Sequence, residues 1–157
     1  MVTTRRTALH VENMNLLLRT LSKMGKEASD EVRSASTTLA ERFLSQVRAE
    51  ASSGPESIAA KGLRVYRDRV PKVGHSAGAK AGVSGGAKLS YFFGGHEFGS
   101  RQGPTTRQFP GIAPGDGYFF YEVINREGPK MASDYFKVIT DVMGGEWDKG
   151  ATRAAMS

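Results

Sequence analysis

His96-Glu97 is the pair in this sequence that most resembles chemical machinery, because an H-E-x-x-H helix presents two imidazoles to one zinc ion and a carboxylate to its water. The fifth position here is Ser100 rather than histidine, and glycines flank the pair. The other histidines, His10 and His75, lie far off in sequence with no i, i+4 pairing. No metal ligand set is expected. The stretch Gly82-Val83-Ser84-Gly85-Gly86-Ala87-Lys88 echoes a phosphate-binding loop. Such a loop needs glycine before the lysine, Ser or Thr after it, and a helix behind it. Ala87 and Leu89 occupy those two positions and a strand is expected to follow, so this reads as a hairpin loop. Glu97, Asp116 and Glu122 are the available carboxylates of the middle region, and Glu97 fits a structural hydrogen-bonding role at least as well as proton transfer. Ser100 lacks the G-x-S-x-G elbow of a serine nucleophile. With no cysteine there is neither a thiolate nor a disulfide. No catalytic residue and no cofactor is expected, and the chain is not expected to be an enzyme.

Charge carries more information than any catalytic motif. The 157 residues hold 22 Lys+Arg against 16 Asp+Glu, a net charge of +6. Residues 1–52 have 8 basic and 6 acidic side chains, residues 53–107 have 9 and 3, and residues 108–157 have 5 and 7. Twelve of the 19 glycines fall between Gly74 and Gly117, so the basic middle is also loop-rich. Arg64, Arg67, Arg69, Lys72 and Lys80 form its patch. Three readings fit it: phosphate binding, an acidic protein partner, or a solvated sheet edge. Tyr66, Tyr91 and Phe92 are aromatics that would serve a base-stacking platform or, as strand aromatics more often do, a core.

Few elements are needed to position these groups. Leu17, Leu21, Met24, Ala28, Val32, Ala35, Leu39, Phe43 and Val47 recur at steps of three and four, one stripe of an α-helix. Gly25 divides it into a short helix to about Met24 and a long one over 26–51, which Ser52-Ser53-Gly54-Pro55 ends. Strands are expected over 62–70, 88–93 and 117–124 because those runs are rich in β-branched and aromatic residues. Residues 73–87 and 99–117 read as Gly-rich loops. A closing helix is expected from Pro129 as its first residue to Gly144-Gly145, on a stripe of Ala132, Tyr135, Phe136, Ile139, Val142 and Met143. The fold class is α+β, with both helices packed on a small antiparallel sheet. Residues 1–12 read as an arm, 13–145 as one domain and 146–157 as a tail. No apolar run approaches the roughly 18 residues that span a bilayer, and no secretory signal is expected at residues 1–10.

Taken in order, the long helix, the basic strand, Phe93-Gly94-Gly95-His96-Glu97-Phe98-Gly99-Ser100, Arg107-Gln108-Phe109-Pro110 and the closing helix resemble a known family. It is the tail-completion or head–tail joining (neck) family of long-tailed double-stranded DNA bacteriophages. Its members carry a glutamate-phenylalanine-glycine-serine/threonine strand end and a downstream arginine-proline-phenylalanine type of segment, matched here by residues 97–100 and 107–110. Gly117-Tyr118-Phe119-Phe120-Tyr121 and Ile124-Asn125-Arg126-Glu127 fit a version with an enlarged loop. The resemblance spans about residues 12 to 145. It departs at Ser53-Gly54-Pro55-Glu56-Ser57-Ile58, where many members have alanine-proline-valine-aspartate-threonine-glycine. The resemblance implies a structural virion protein, assembled in the host cytoplasm. It would form a ring of six-fold order between the connector or stopper and the tail terminator or tail tube, with genomic DNA passing through the lumen. Phe98, Gly99, Ser100, Arg101, Arg107, Phe109 and Pro110 would then meet a neighbouring subunit or ring, unless Phe98 and Phe109 are core residues that hold a loop down. A lumen must let DNA slide, which favours acidic protein surfaces as partners of the basic patch. The alternatives are the tail terminator of the same neck and a small basic nucleic-acid-binding protein.

Overall fold

A computed structural model describes residues 19, 22–23, 25–51, 55–76, 78–80, 86, 88–100, 109–113 and 115–155. The expected N-terminal arm, the short helix stripe Leu17, Leu21 and Met24, and the interface residues Arg101 and Arg107 lie outside the described residues, as do His10 and most of the 82–87 loop.

The long helix stands where its apolar period places it. Helix α1 runs Lys26–Glu50 and buries Ala28, Val32, Ser36, Leu39, Ala40, Phe43, Leu44 and Val47 along one face. It stops at Ala51, whose N–H donates to the Val47 carbonyl. A second, short helix not foreseen in the sequence, α2 (Pro55–Lys61), follows. The long helix does end before Ser52-Ser53-Gly54-Pro55, as expected, and Pro55 is also the first residue of α2, where a missing N–H costs nothing.

Strands β1 (Leu63–Tyr66) and β2 (Lys72–His75) pair antiparallel, with Leu63 opposite His75 and Tyr66 opposite Lys72. Side chains alternate across this ribbon. Leu63, Val65 and Val73 pack on the core, while Arg64 and Lys72 are exposed on the opposite face. Among the described residues these two strands make the whole sheet.

The two further expected strands are helices. Helix α3 (Leu89–Phe98) takes the 88–93 run, and helix α4 (Phe120–Ala155) begins inside the 117–124 run. The reason is spacing: Leu89, Phe92 and His96, like Phe119 and Val123, are buried at steps of three and four, so each run has one inward helical face. Their aromatic content mimics strand composition. Helix α4 also passes through Pro129, Gly144 and Gly145, so Pro129 is not its first residue and the glycine pair does not end it. Among the described residues the order of these elements is therefore α-α-β-β-α-α.

Two clusters form the core. Phe43, Leu44 and Val47 of α1 meet Ala59, Ala60, Leu63, Leu89, Phe92, Phe119 and Val123, while Ala28, Val32 and Leu39 meet Tyr135, Ile139 and Val142 of α4. Burying each large side chain contributes about 1.5–3 kcal/mol. Ion pairs Arg42–Asp134 (2.6 Å) and Arg126–Glu50 (3.2 Å) tie α1 to α4 at the surface, where each adds at most about 1 kcal/mol.

Candidate functional site

The Glu97-Phe98-Gly99-Ser100 motif sits where α3 ends, and almost every polar group in it is taken by the segment that leads into α4. Gly99 closes α3 by donating its N–H to the Gly95 carbonyl, in a left-handed conformation with φ of 75°. A Cβ at Gly99 would overlap the Gly111 carbonyl oxygen, so the chain crosses itself backbone against backbone. The Ser100 N–H donates to Pro110 O (2.9 Å), Ala113 N–H to Phe98 O (3.1 Å) and Tyr118 N–H to Glu97 O (2.9 Å).

Glu97 is fully buried. Its Oε2 accepts the backbone N–H groups of Phe119 (3.2 Å) and Phe120 (2.9 Å), and its Oε1 accepts that of Tyr121 (2.8 Å). These are orphan donors at the start of α4, which no intrahelical carbonyl can reach. The carboxylate therefore caps a helix 22 residues further along the chain, with its charge at the positive end of the helix dipole. Gly117 is required beside it, since a Cβ there would overlap Oε1. Of the two roles open to Glu97, the hydrogen-bonding one is the one its partners occupy.

His96 faces the other way. Its ring lies between Phe92 (centroids 4.5 Å apart) and Phe109 (5.1 Å), and neither ring nitrogen has a hydrogen-bond partner. Burial lowers its pKa below 6.5, opposed by the negative charge of Glu56. Phe109 presses on Gly95 so closely that a Cβ there would overlap its ring. The zinc-site comparison fails in space as well as in sequence, because α3 ends at Phe98 and Ser100 is off the helix. No trio of His, Asp or Glu among the described residues could hold a metal ion. The phosphate-loop comparison changes in one respect: a helix, not a strand, follows Lys88, but Lys88 pairs with Lys80 in an isolated antiparallel bridge.

The two aromatic interface candidates separate. Phe109 is partly buried and packs against the core, whereas Phe98 is 45 % exposed, its ring 5.5 Å from that of Tyr121. Ile112, which sequence reading missed, is 58 % exposed and follows Gly111 at the same crossing. Pro110 is half-buried and serves through its carbonyl. Asp116 accepts from Asn125 Nδ2 (3.2 Å), and Glu122 is exposed on α4. The spacing of glycines at 95, 99, 111 and 117 was the available signal for this crossing, since each lies where chain meets chain.

No protein-family model, no curated protein and no solved structure matches this chain.

On the hairpin, Arg64, Arg67 and Lys72 are exposed, while Arg69 is half-buried in the turn; Lys80, exposed, lies beyond it in the bridge to Lys88. The Arg69 carbonyl accepts hydrogen bonds from Ser36 of α1 (2.8 Å) and Tyr135 of α4 (2.6 Å). An apolar groove of about 270 Å³ opens beside that turn, bounded by Phe43, Pro71, Phe120, Met131 and Phe136 among others. Among the described residues no helix is long and apolar enough to cross a membrane.

Proposed function

We propose that this chain is a structural protein of the phage head–tail junction, a tail-completion or neck-ring subunit that acts through protein–protein contacts around the DNA conduit. The observation that carries the reading is the Glu97 clamp. The motif that resembles the family's glutamate-phenylalanine-glycine-serine segment ends a helix here rather than the strand the resemblance implies, and it joins two backbone segments and starts the closing helix. A rigid crossing of that kind can hold apolar side chains outward without letting them collapse inward. Phe98 and Ile112, both exposed there, form the apolar centre that a heterologous subunit contact needs. With its carboxylate committed to three backbone donors, Glu97 acts as a strut rather than as an acid or base.

In this reading copies of the chain associate in a closed ring, of six-fold order by the family resemblance, stacked between connector and tail tube. Electron microscopy of assembled virions tests it: the chain should appear as a ring at the neck. A position at the tail tip, or absence from the virion, overturns the proposal. The paired substitution Phe98→Asp with Ile112→Asp should leave the subunit folded and abolish joining of heads to tails.

A further inference from the structure

The outer face of the β1–β2 ribbon carries a second kind of site. Tyr66 and Lys72 face each other across the two strands, and Arg64 lies two residues from Tyr66 on the same side. The Arg64 guanidinium carbon stands 4.9 Å from the Tyr66 ring centre and the Lys72 ammonium 5.4 Å from it. One ring thus fixes two cations within about a Debye length of each other. The ring is itself fixed, because its hydroxyl donates to His75 O (2.6 Å) and its edge lies over Gly74. Arg67, one residue past Tyr66 and exposed in the turn, is a further cation at the end of the ribbon. Among the described residues none of the three has a carboxylate within ion-pair distance. The adjacent Asp68 has one carboxylate oxygen accepting the Arg69 N–H. Like charges held together with no counter-charge repel, so an anion from outside would be attracted to this face.

The chemistry of the face selects among anionic partners. A stable protein interface is anchored by an apolar or aromatic side chain that buries itself in the partner, but here the aromatic is already engaged by two cations and by Gly74. A single nucleic-acid strand is gripped by bases stacked on a free aromatic face, whereas Arg64 and Lys72 already stand over the Tyr66 ring. A duplex backbone requires neither, only fixed cations at phosphate spacing. We propose that the ribbon face Arg64–Tyr66–Lys72, with Arg67, binds the phosphate backbone of double-stranded nucleic acid without regard to sequence. Three cations make the contact weak and salt-labile, so a duplex can slide across it. This inference stands apart from the neck assignment, since it concerns the isolated subunit and is untouched by where the protein sits in a particle.

Fluorescence anisotropy with a duplex of about 30 base pairs tests it. Binding should be equal for unrelated sequences and fall with salt at a log–log slope of about −2 to −3. Arg64→Gln with Lys72→Gln should reduce the slope by nearly two and the affinity at low salt by tenfold or more, with unchanged far-UV circular dichroism. Tyr66→Leu, which keeps the charges but frees them, should lower affinity less than the double charge variant. No binding at about 25 mM salt overturns the proposal, as does a slope indifferent to Arg64 and Lys72. Competition by polyglutamate at lower charge concentration than by duplex also overturns it, in favour of an acidic protein partner.

Discussion

Ser36 on α1 and Tyr135 on α4 donate to the same atom, the carbonyl oxygen of Arg69, at 2.8 and 2.6 Å. Both donors are buried. Two helices thereby hold one turn of the hairpin, and the ribbon's orientation on the helices depends on that shared acceptor. A carbonyl has two lone pairs, so either donor alone still satisfies it. Ser36→Ala and Tyr135→Phe should each cost about 1 kcal/mol in urea unfolding. Together they leave the carbonyl bare, and the double variant should lose more than the two singles combined, by about 0.5 kcal/mol or more. Strict additivity would show that the two bonds do not share a role.

Glu97 offers a sharper test. Removing its carboxylate strands three backbone donors at the first turn of α4, in a site closed to water. Glu97→Ala should destabilise the protein by about 3 kcal/mol or more in urea melts. Glu97→Gln keeps one acceptor oxygen but puts an amide N–H₂ against an N–H donor, and should recover only part of the loss. A Glu97→Ala protein as stable as the parent would remove the helix-capping role.

The contrast between α1 and α3 shows which parts of this molecule can be read along the chain. Helix α1 is self-evident because its period is complete: charged residues fill every face that Val32, Leu39, Phe43 and Val47 do not. In α3 the run Tyr91-Phe92-Phe93 is apolar on every side, and periodicity cannot separate a helix from a strand in so short a run. What decides it lies elsewhere in the sequence, since Phe109 covers Gly95 and His96 from 13 or more residues away. The start of α4 is hidden for a related reason. Its first turn has no Ser, Thr, Asp or Asn placed to cap Phe120 locally, and the cap is supplied by Glu97 from another helix. The motif residues were visible in sequence, as were the hairpin's cations. The partnership between Glu97 and the α4 donors was not, because no local spacing encodes it.

Glycines divide cleanly by what surrounds them. Gly99 has a positive φ and backbone against it, and Gly117 has the Glu97 carboxylate against it. Gly99→Ala and Gly117→Ala should each cost more than about 1 kcal/mol. Gly94 and Gly144 lie within helices with nothing within 4 Å of a Cβ. Gly94→Ala and Gly144→Ala should each stabilise by about 0.5–1 kcal/mol, because alanine loses less backbone entropy in a helix. Thermal melts of the four variants check the division, and destabilisation by Gly94→Ala would break it.

His96 and His75 should make the fold sensitive to acid. Burial depresses both pKa values below 6.5, against Glu56 for His96 and a hydrogen bond at Ala59 for His75. Below about pH 6.5 the unfolded chain therefore binds protons that the folded chain resists. Stability should be full above that pH and fall as pH drops from about 6.5 toward the folded-state values. The two rings differ in consequence. A proton on His96 places a charge between Phe92 and Phe109, and Phe109 begins the segment that crosses Gly99 at Gly111. Acidification should loosen that crossing before the α1–α4 contact, which hydrogen exchange resolves as earlier loss of protection at Ser100 and Ala113 than at Val32. His96→Leu, which keeps the volume without the titrating nitrogens, should flatten the pH dependence at Ser100 and Ala113 while the His75 contribution persists. An unchanged pH profile in that variant would remove His96 as the acid-sensitive group.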